Sequence, residues 1–371
     1  MTPEGGHVFT KKRHIMWLVA ILAVVGLATA ACSSDDDATD SSSDTTAATD
    51  AGEGGSASDV SGEVVISGSS TVEPISTAVA ESFAEIAPDV SVDVDGPGTG
   101  DGFELFCNGE TDISDASRPI DPEEIQACAD NGVEFIELEV GIDGISVLTN
   151  PANDTIDCLS FADLYALVGP EAEGTESWAD AQALATELGS STTFPDAPLD
   201  ITAPGEESGT YDSFIELALG DVAETRVEAG AITEDQAETT RPDYTSQADD
   251  NAILTGIEGS DSSLGWVGFA FAEEAGDQVK ELAIDGGDGC VEPSTETIAD
   301  GTYPISRSLY IYVNAATAEE NPAVAAYVDY FLGDGISAVT ETGYVAIPEA
   351  RLADATATWE SRQTGSLASG G

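Results

Sequence analysis

From Glu63 onward, short apolar runs of period two alternate with longer runs in which apolar residues recur every three or four positions. The first pattern reads as strand and the second as helix. "EVVISG" precedes the helical stretch "VEPISTAVAESFAEIAP", and "DVSVDVDG" precedes "GDGFELFCNGE". "VEFIELEVGIDGISVLTN" reads as one or two long strands, and "LSFADLYALVG" as a helix with Leu164, Leu167 and Val168 on one face. "LDITAPG" is a strand that turns into the helix "GTYDSFIELALG"; "SSLGWVGFAFAEEAG" and "VKELAID" continue the alternation. "YPISRSLYIYVN" is a strong strand, and "NPAVAAYVDYFLGDGISAVTETGY" a closing pair of helices. This order predicts an α/β protein with largely parallel sheets and no internal repeat. About 310 residues remain for the fold, which suits two α/β lobes.

The pattern is absent before Glu63. "KKRH" (Lys11 to His14) is a positive flank, followed by 14 apolar residues from Ile15 and then the small residues "TAAC" ending at Cys32. The apolar run is short for a membrane span and reads as an export signal. Its end is similar to a bacterial lipoprotein signal over residues 1–31, with Cys32 as the lipidated first residue, although Thr29 stands where Leu is usual. A plain secretory signal is the alternative. Residues 32–62 are rich in Ser, Thr, Asp, Ala and Gly without apolar period, and read as a disordered acidic tether. The expected location is therefore outside the cell membrane, held to its outer face by lipid.

Charge changes the picture further. Of 371 residues 71 are acidic and 10 basic, a net charge of -61. Such a surface repels nucleic acid and anionic membrane. Lys11, Lys12 and Arg13 belong to the leader, leaving Arg118, Arg226, Arg241, Lys280, Arg307, Arg351 and Arg362. Both histidines, His7 and His14, precede Cys32. A mature chain without histidine excludes Ser-His-Asp triads and His-ligated metal sites, and no G-x-S-x-G is present. Neither an enzyme nor a metal site is expected. Cys107, Cys128, Cys158 and Cys290 suggest two disulfides in an exported protein. Of the three pairings, Cys107–Cys128 as a local clip and Cys158–Cys290 as a long closure are favoured; a four-thiolate zinc site lacks any C-x-x-C pair.

Three places share one design of strand, small-residue turn and helix: "ISGSSTVEPI", "VDGPGTGDGFELF" and "ITAPGEESGTYDSF". A helix start has unpaired N–H groups and a positive dipole end. One hydroxyl suffices for capping, yet Ser69, Ser70 and Thr71 stand together. The surplus suggests donors for an anion. In open α/β sheets such turns share the ligand-binding edge. A fourth stretch, "GETDISDASRPID", contributes Arg118, whose guanidinium suits bidentate oxyanion binding; a salt bridge to a nearby carboxylate is the bland alternative. "DVDGPGTGDGFE" (Asp93 to Glu104) partly matches a calcium loop, but Pro97 stands at a ligand position and strand residues precede it. A purely adhesive surface protein would explain the tether but not the three helix mouths.

Taken in order, "GSSTVEPI", "GTGDGFELFCNGETDISDASRPI", "PGEESGTYDSF" and "RPDYTSQADDNAILTGI" resemble the phosphate-binding lipoproteins of ABC transporters, the PstS type, from about Glu63 to about Ile347. The resemblance implies a type II periplasmic-binding-protein fold: two lobes, each a mixed sheet flanked by helices, joined by two hinge strands. Lobe I would be 63–145 plus 306–348, lobe II 146–305, and 349–371 a C-terminal tail. It implies inorganic phosphate as ligand, a membrane permease as partner, no cofactor, and a monomer; the alternatives are a binder of sulfate or molybdate, or a phosphate-binding surface protein with no part in transport. By motif, the ligands would be Ser69, Ser70, Thr71 and the Val72 amide, then Thr99, then Ser117 and Arg118, then Ser208, Gly209 and Thr210. One departure stands out. Familiar members carry Asp just after the Ala-Ser pair and Arg shortly before Ser-Gly-Thr; here Arg118 follows Ala116 and Ser117, while Pro204, Glu206 and Glu207 precede Ser208. The acceptor for the phosphate P–OH is therefore expected to be Glu207 or Asp101.

Overall fold

The computed structural model describes residues 60–206 and 208–367, so the leader, Cys32, most of the tether and Glu207 lie outside the described residues. Among the described residues the strands are β1 (Gly62–Gly68), β2 (Val90–Asp95), β3 (Ile113–Ala116), β4 (Phe135–Thr149), β5 (Cys158–Ser160), β6 (Asp200–Ala203), β7 (Thr245–Ser246), β8 (Ser263–Gly268), β9 (Lys280–Glu281), β10 (Ala283–Asp285), β11 (Cys290–Val291) and β12 (Ser306–Asn314). The helices include α1 (Glu73–Ile86), α2 (Thr99–Cys107), α3 (Pro122–Asn131) and α4 (Phe161–Val168).

Strand pairing follows one path, β2-β1-β3-β12-β4-β8-β6-β7, with β9 beside β4, and a small second sheet β11-β10-β5. Both ends of the path are parallel: β1 with β2 and β3, β6 with β7 and β8. The middle is antiparallel, where β12 pairs with β3 and β4, and β4 with β8. The sheet is therefore mixed, not largely parallel. "VEFIELEVGIDGISVLTN" forms a single strand of 15 residues. Parallel neighbours need helical crossovers, which the flanking units supply. β4 and β12 instead run past each other in opposite directions, as two segments that cross the middle of the molecule must.

Apolar burial divides along β4. Ile136, Leu138 and Val140 pack with β1, α1, β12 and the helix Pro322–Leu332; Ile142, Ile145 and Val147 pack with α4, Trp178, Phe214 and Trp266. The β4–β12 register shifts between Leu309 and Tyr310, close to where the core changes. An irregularity of this kind bends a strand and increases its twist. Just beyond it Arg307 and Asp143 are cross-strand partners.

The disulfides are Cys107–Cys128, joining α2 to α3, and Cys158–Cys290, joining β5 to β11. Residues Glu349–Glu360, expected as tail, form a helix instead. Its Trp359 is 2% exposed and donates to Asp329 Oδ1 at 2.5 Å. Arg351 of the same helix reaches Glu139 of β4 at 2.8 Å and Ser308 of β12 at 2.9 Å. No helix among the described residues is long and apolar enough to cross a membrane.

Candidate functional site

The first hydroxyl cluster sits where β1 ends. Ser69 N–H donates to the Asp115 carbonyl at 2.9 Å, which joins this turn to the end of β3. Ser69 Oγ accepts from Thr71 N–H at 3.2 Å. No side chain caps α1. The hydroxyls of Ser70 and Thr71 therefore point elsewhere: Ser70 Oγ donates to Asp212 Oδ2 at 3.3 Å, and Thr71 Oγ1 lies 3.1 Å from Ser213 Oγ.

The second mouth is a close backbone approach. Gly98 has φ of 119°, where a side chain would be strained. A Cβ on Gly102 would fall 2.4 Å from Gly68 Cα, so α2 rests directly on the end of β1. That contact sets Thr99 beside the first turn. Thr99 Oγ1 lies 3.0 Å from Ser117 Oγ and accepts from Ser117 N–H at 3.3 Å. No side chain caps α2 either. At the third mouth Ser208 does cap its helix, accepting from Thr210 N–H at 3.2 Å. A π-helical turn, Ile215–Leu219, follows that helix and carries Glu216.

One cavity of about 280 Å³ gathers these parts. Ser69, Ser70, Thr71, Thr99, Ser117 and Arg118, all expected from sequence, line it. Gly98, Gly100, Asp212, Glu216 and Arg307 complete the wall. Val72, Asp101, Ser208, Gly209 and Thr210 do not line it. The Val72 amide is directed to the Ser69 carbonyl at 3.1 Å, and Asp101 is exposed on α2. Ser208 and Gly209 line an adjoining cleft of about 580 Å³ that shares Ser70 and Asp212 with the cavity. A Cβ at Gly209 would lie 3.3 Å from the Ser70 carbonyl, so the first and third mouths nearly touch.

Arg307 is the group that sequence reasoning missed. Its Nη2 donates to Thr71 Oγ1 at 3.2 Å and to Ser213 Oγ at 2.8 Å, its Nη1 pairs with Glu216, and its Nε lies 3.6 Å from Asp143 Oδ2. The side chain is 9% exposed and that of Asp143 5%. Burial pushes the Asp143 carboxyl up, and the Arg307 charge opposes the shift. Burial likewise raises Asp212, against its hydrogen bond from Ser70 and the pull of Arg307. Asp115, wholly buried and accepting from Ser76 Oγ at 3.0 Å, is pushed up to about 7 by desolvation, with Glu73 adding to the effect. Arg118 is held by Glu124 through two bonds of 2.8 and 2.9 Å and by Asp121 at 3.2 Å, and lies over the Phe103 ring.

The other cations are committed too. Arg226 pairs with Glu171 and Glu187, Arg241 with Asp243, Lys280 with Asp157 and Arg351 with Glu139, while Arg362 stacks 3.4 Å over Trp359. The calcium-loop reading fails on geometry: Asp93 and Asp95 belong to β2, and α2 begins already at Thr99. Among the described residues no cluster of acidic, Cys and His side chains could hold a metal. The cavity is thus a small donor-rich pocket with two guanidinium groups and two carboxylates. It has the features of a solute site and shows no activated nucleophile.

A family model described as PBP superfamily domain matches residues 41–335. The chain belongs to the PBP superfamily. Within the superfamily it is 38% identical to the protein SphX of Synechocystis over 79% of this chain and 80% of that one. It is 32% identical to the phosphate-binding protein PstS of Staphylococcus aureus, over 80% of this chain and 83% of that one. At such identity and coverage it falls in the family these proteins represent, one of substrate-binding proteins and not of enzymes. A crystal structure of a possible phosphate-binding protein from Planctomyces limnophilus shares 32% of its sequence with this PBP-superfamily chain, covering 82% of it and 99% of the other, with a TM-score of 0.71.

Proposed function

We propose that the protein captures inorganic phosphate outside the cytoplasm and delivers it to the permease of an ABC transporter. The observation that carries this reading is the convergence of hydroxyls from two separate turns with Arg118 and Arg307 in one cavity. Ser69, Ser70, Thr71, Thr99 and Ser117 offer neutral donors, and the two guanidiniums offer charge. Asp212, at the wall, takes the acceptor role for the P–OH in place of Asp101, which does not line the cavity. An acceptor is what separates a protonated phosphate from sulfate, which has no proton to give.

β4 and β12 act as the hinge of two lobes, 63–145 with 306–348 and 146–305, the C-terminal helix docking on the first. Ligand contacts from both sides favour the closed form, which the permease recognises. The Ser70–Asp212 and Thr71–Ser213 bonds support closure, since they join residues from opposite sides of the hinge. Lipidation of Cys32 would tether the domain to the membrane.

Calorimetry on the mature domain tests the reading, with phosphate, arsenate, sulfate and molybdate as titrants. Phosphate and arsenate should bind with submicromolar affinity, and sulfate at least about a hundredfold more weakly, because a carboxylate acceptor facing an unprotonated oxygen is left unpaired and repelled. Arg307→Gln should weaken phosphate binding by roughly ten- to a hundredfold, the effect of losing one or two charge-assisted bonds. Tight sulfate binding, or an unaffected Arg307→Gln variant, would count against it.

A further inference from the structure

The wall of the cavity carries two carboxylates where one acceptor would serve. Asp212 and Glu216 lie about one turn apart after the third mouth, and both face the space bounded by Thr71, Arg118 and Arg307. The two guanidiniums are already balanced. Arg307 pairs with Glu216 and faces Asp143 of β4; Arg118 is clamped by Glu124 of α3 and Asp121 at its start. Glu73 of α1 and Glu206 lie on the adjoining cleft, and Asp115 of β3 is buried behind the first mouth. Counting wall groups alone, two cations face two anions, and the carboxylates beyond them add negative charge. A dianion would enter a site with no surplus cation to neutralise it.

A monoanion with two hydroxyl protons fits the same wall better. Each P–OH needs an acceptor, and Asp212 and Glu216 are two. The remaining oxygens are left for the hydroxyl and guanidinium donors. Resting on the phosphate reading above, we infer that this protein selects dihydrogen phosphate, H2PO4⁻, with Asp212 and Glu216 each accepting one P–OH hydrogen bond. Glu216 turns from Arg307 toward the ligand as it does so, freeing guanidinium N–H groups for the ligand's unprotonated oxygens. No covalent step is involved; selection is by counting protons.

The pH sense follows. Only the protonated ligand is competent, so the apparent affinity for total phosphate falls as pH rises through the second ionisation of phosphate. Above that point the dissociation constant increases roughly tenfold per pH unit. On the acid side, burial raises the Asp212 carboxyl above its ordinary range, so its protonation opposes binding as pH falls.

The test is calorimetry of the mature domain with inorganic phosphate at about pH 6 and about pH 8.5, the latter in two buffers of different ionisation enthalpy. The wild type should bind at least about tenfold more tightly at the lower pH and take up about one proton per phosphate at the higher. Glu216→Gln, which can donate to a dianion, should lose affinity at the lower pH and flatten the pH dependence. Equal or tighter binding at the higher pH overturns the inference, as does an unchanged pH dependence in a Glu216→Gln domain that melts like the wild type. Absence of phosphate binding at both pH values would instead defeat the phosphate reading itself.

Discussion

Asp115 ties the end of β3 to the first mouth, the turn between β1 and α1. Its carbonyl fixes Ser69 and its carboxyl fixes Ser76 in the first turns of α1. Its pKa stands at about 7 against a usual value of 3.8, so between those values the folded chain holds a proton that the unfolded chain has released. The native state then binds more protons, and stability declines as pH rises across that window. Asp115→Asn removes the titration. Relative to wild type, the variant should gain on the order of a few kcal/mol between about pH 4 and about pH 8 in urea melts. A constant difference between the two proteins would contradict this. At this scale the sequence was legible where interactions are local. Ser69 to Thr71 and Thr99 announce themselves because strand, turn and helix are contiguous. Arg307 does not, because its bond to Thr71 spans 236 positions and its neighbours read only as a strand. That it is one of seven cations among the described residues, set in a run that reads as strand, was the available signal.

Elements were legible in type and order, less so in how they join. Strand periodicity marks β1, β2, β4 and β12 but carries no direction, so the antiparallel centre of the sheet was hidden. The helix Glu349–Glu360 was missed for a different reason. Its buried side includes Ala355, Thr358 and Trp359, so a single large side chain carries most of the apolar signal. That side chain nevertheless packs with the core of β1, α1 and β12. Trp359→Ala should cost about 3–5 kcal/mol by leaving a cavity. The expected result is a melting temperature lower by several degrees with phosphate affinity unchanged, since Trp359 does not line the cavity. A melt identical to wild type would show the helix to be dispensable.

Across the whole molecule, the extreme acidity was plain from composition, but not where the few cations go. Every one of the seven in the described structure has an anionic or aromatic partner, and the two at the cavity are matched by carboxylates. No cationic patch is left over to draw an anion in from a distance. The far field is that of a polyanion, and a phosphate must approach uphill until it meets the hydroxyls. Dissolved salt shortens the reach of that repulsion to about 10 Å at 0.1 M. Capture should therefore speed up as salt is added, the reverse of what electrostatic steering produces. Stopped-flow association rates at low and high potassium chloride would reveal it, and a rate that drops with salt would mean a guiding positive field exists after all. A protein wired this way gathers its ion fastest in brine.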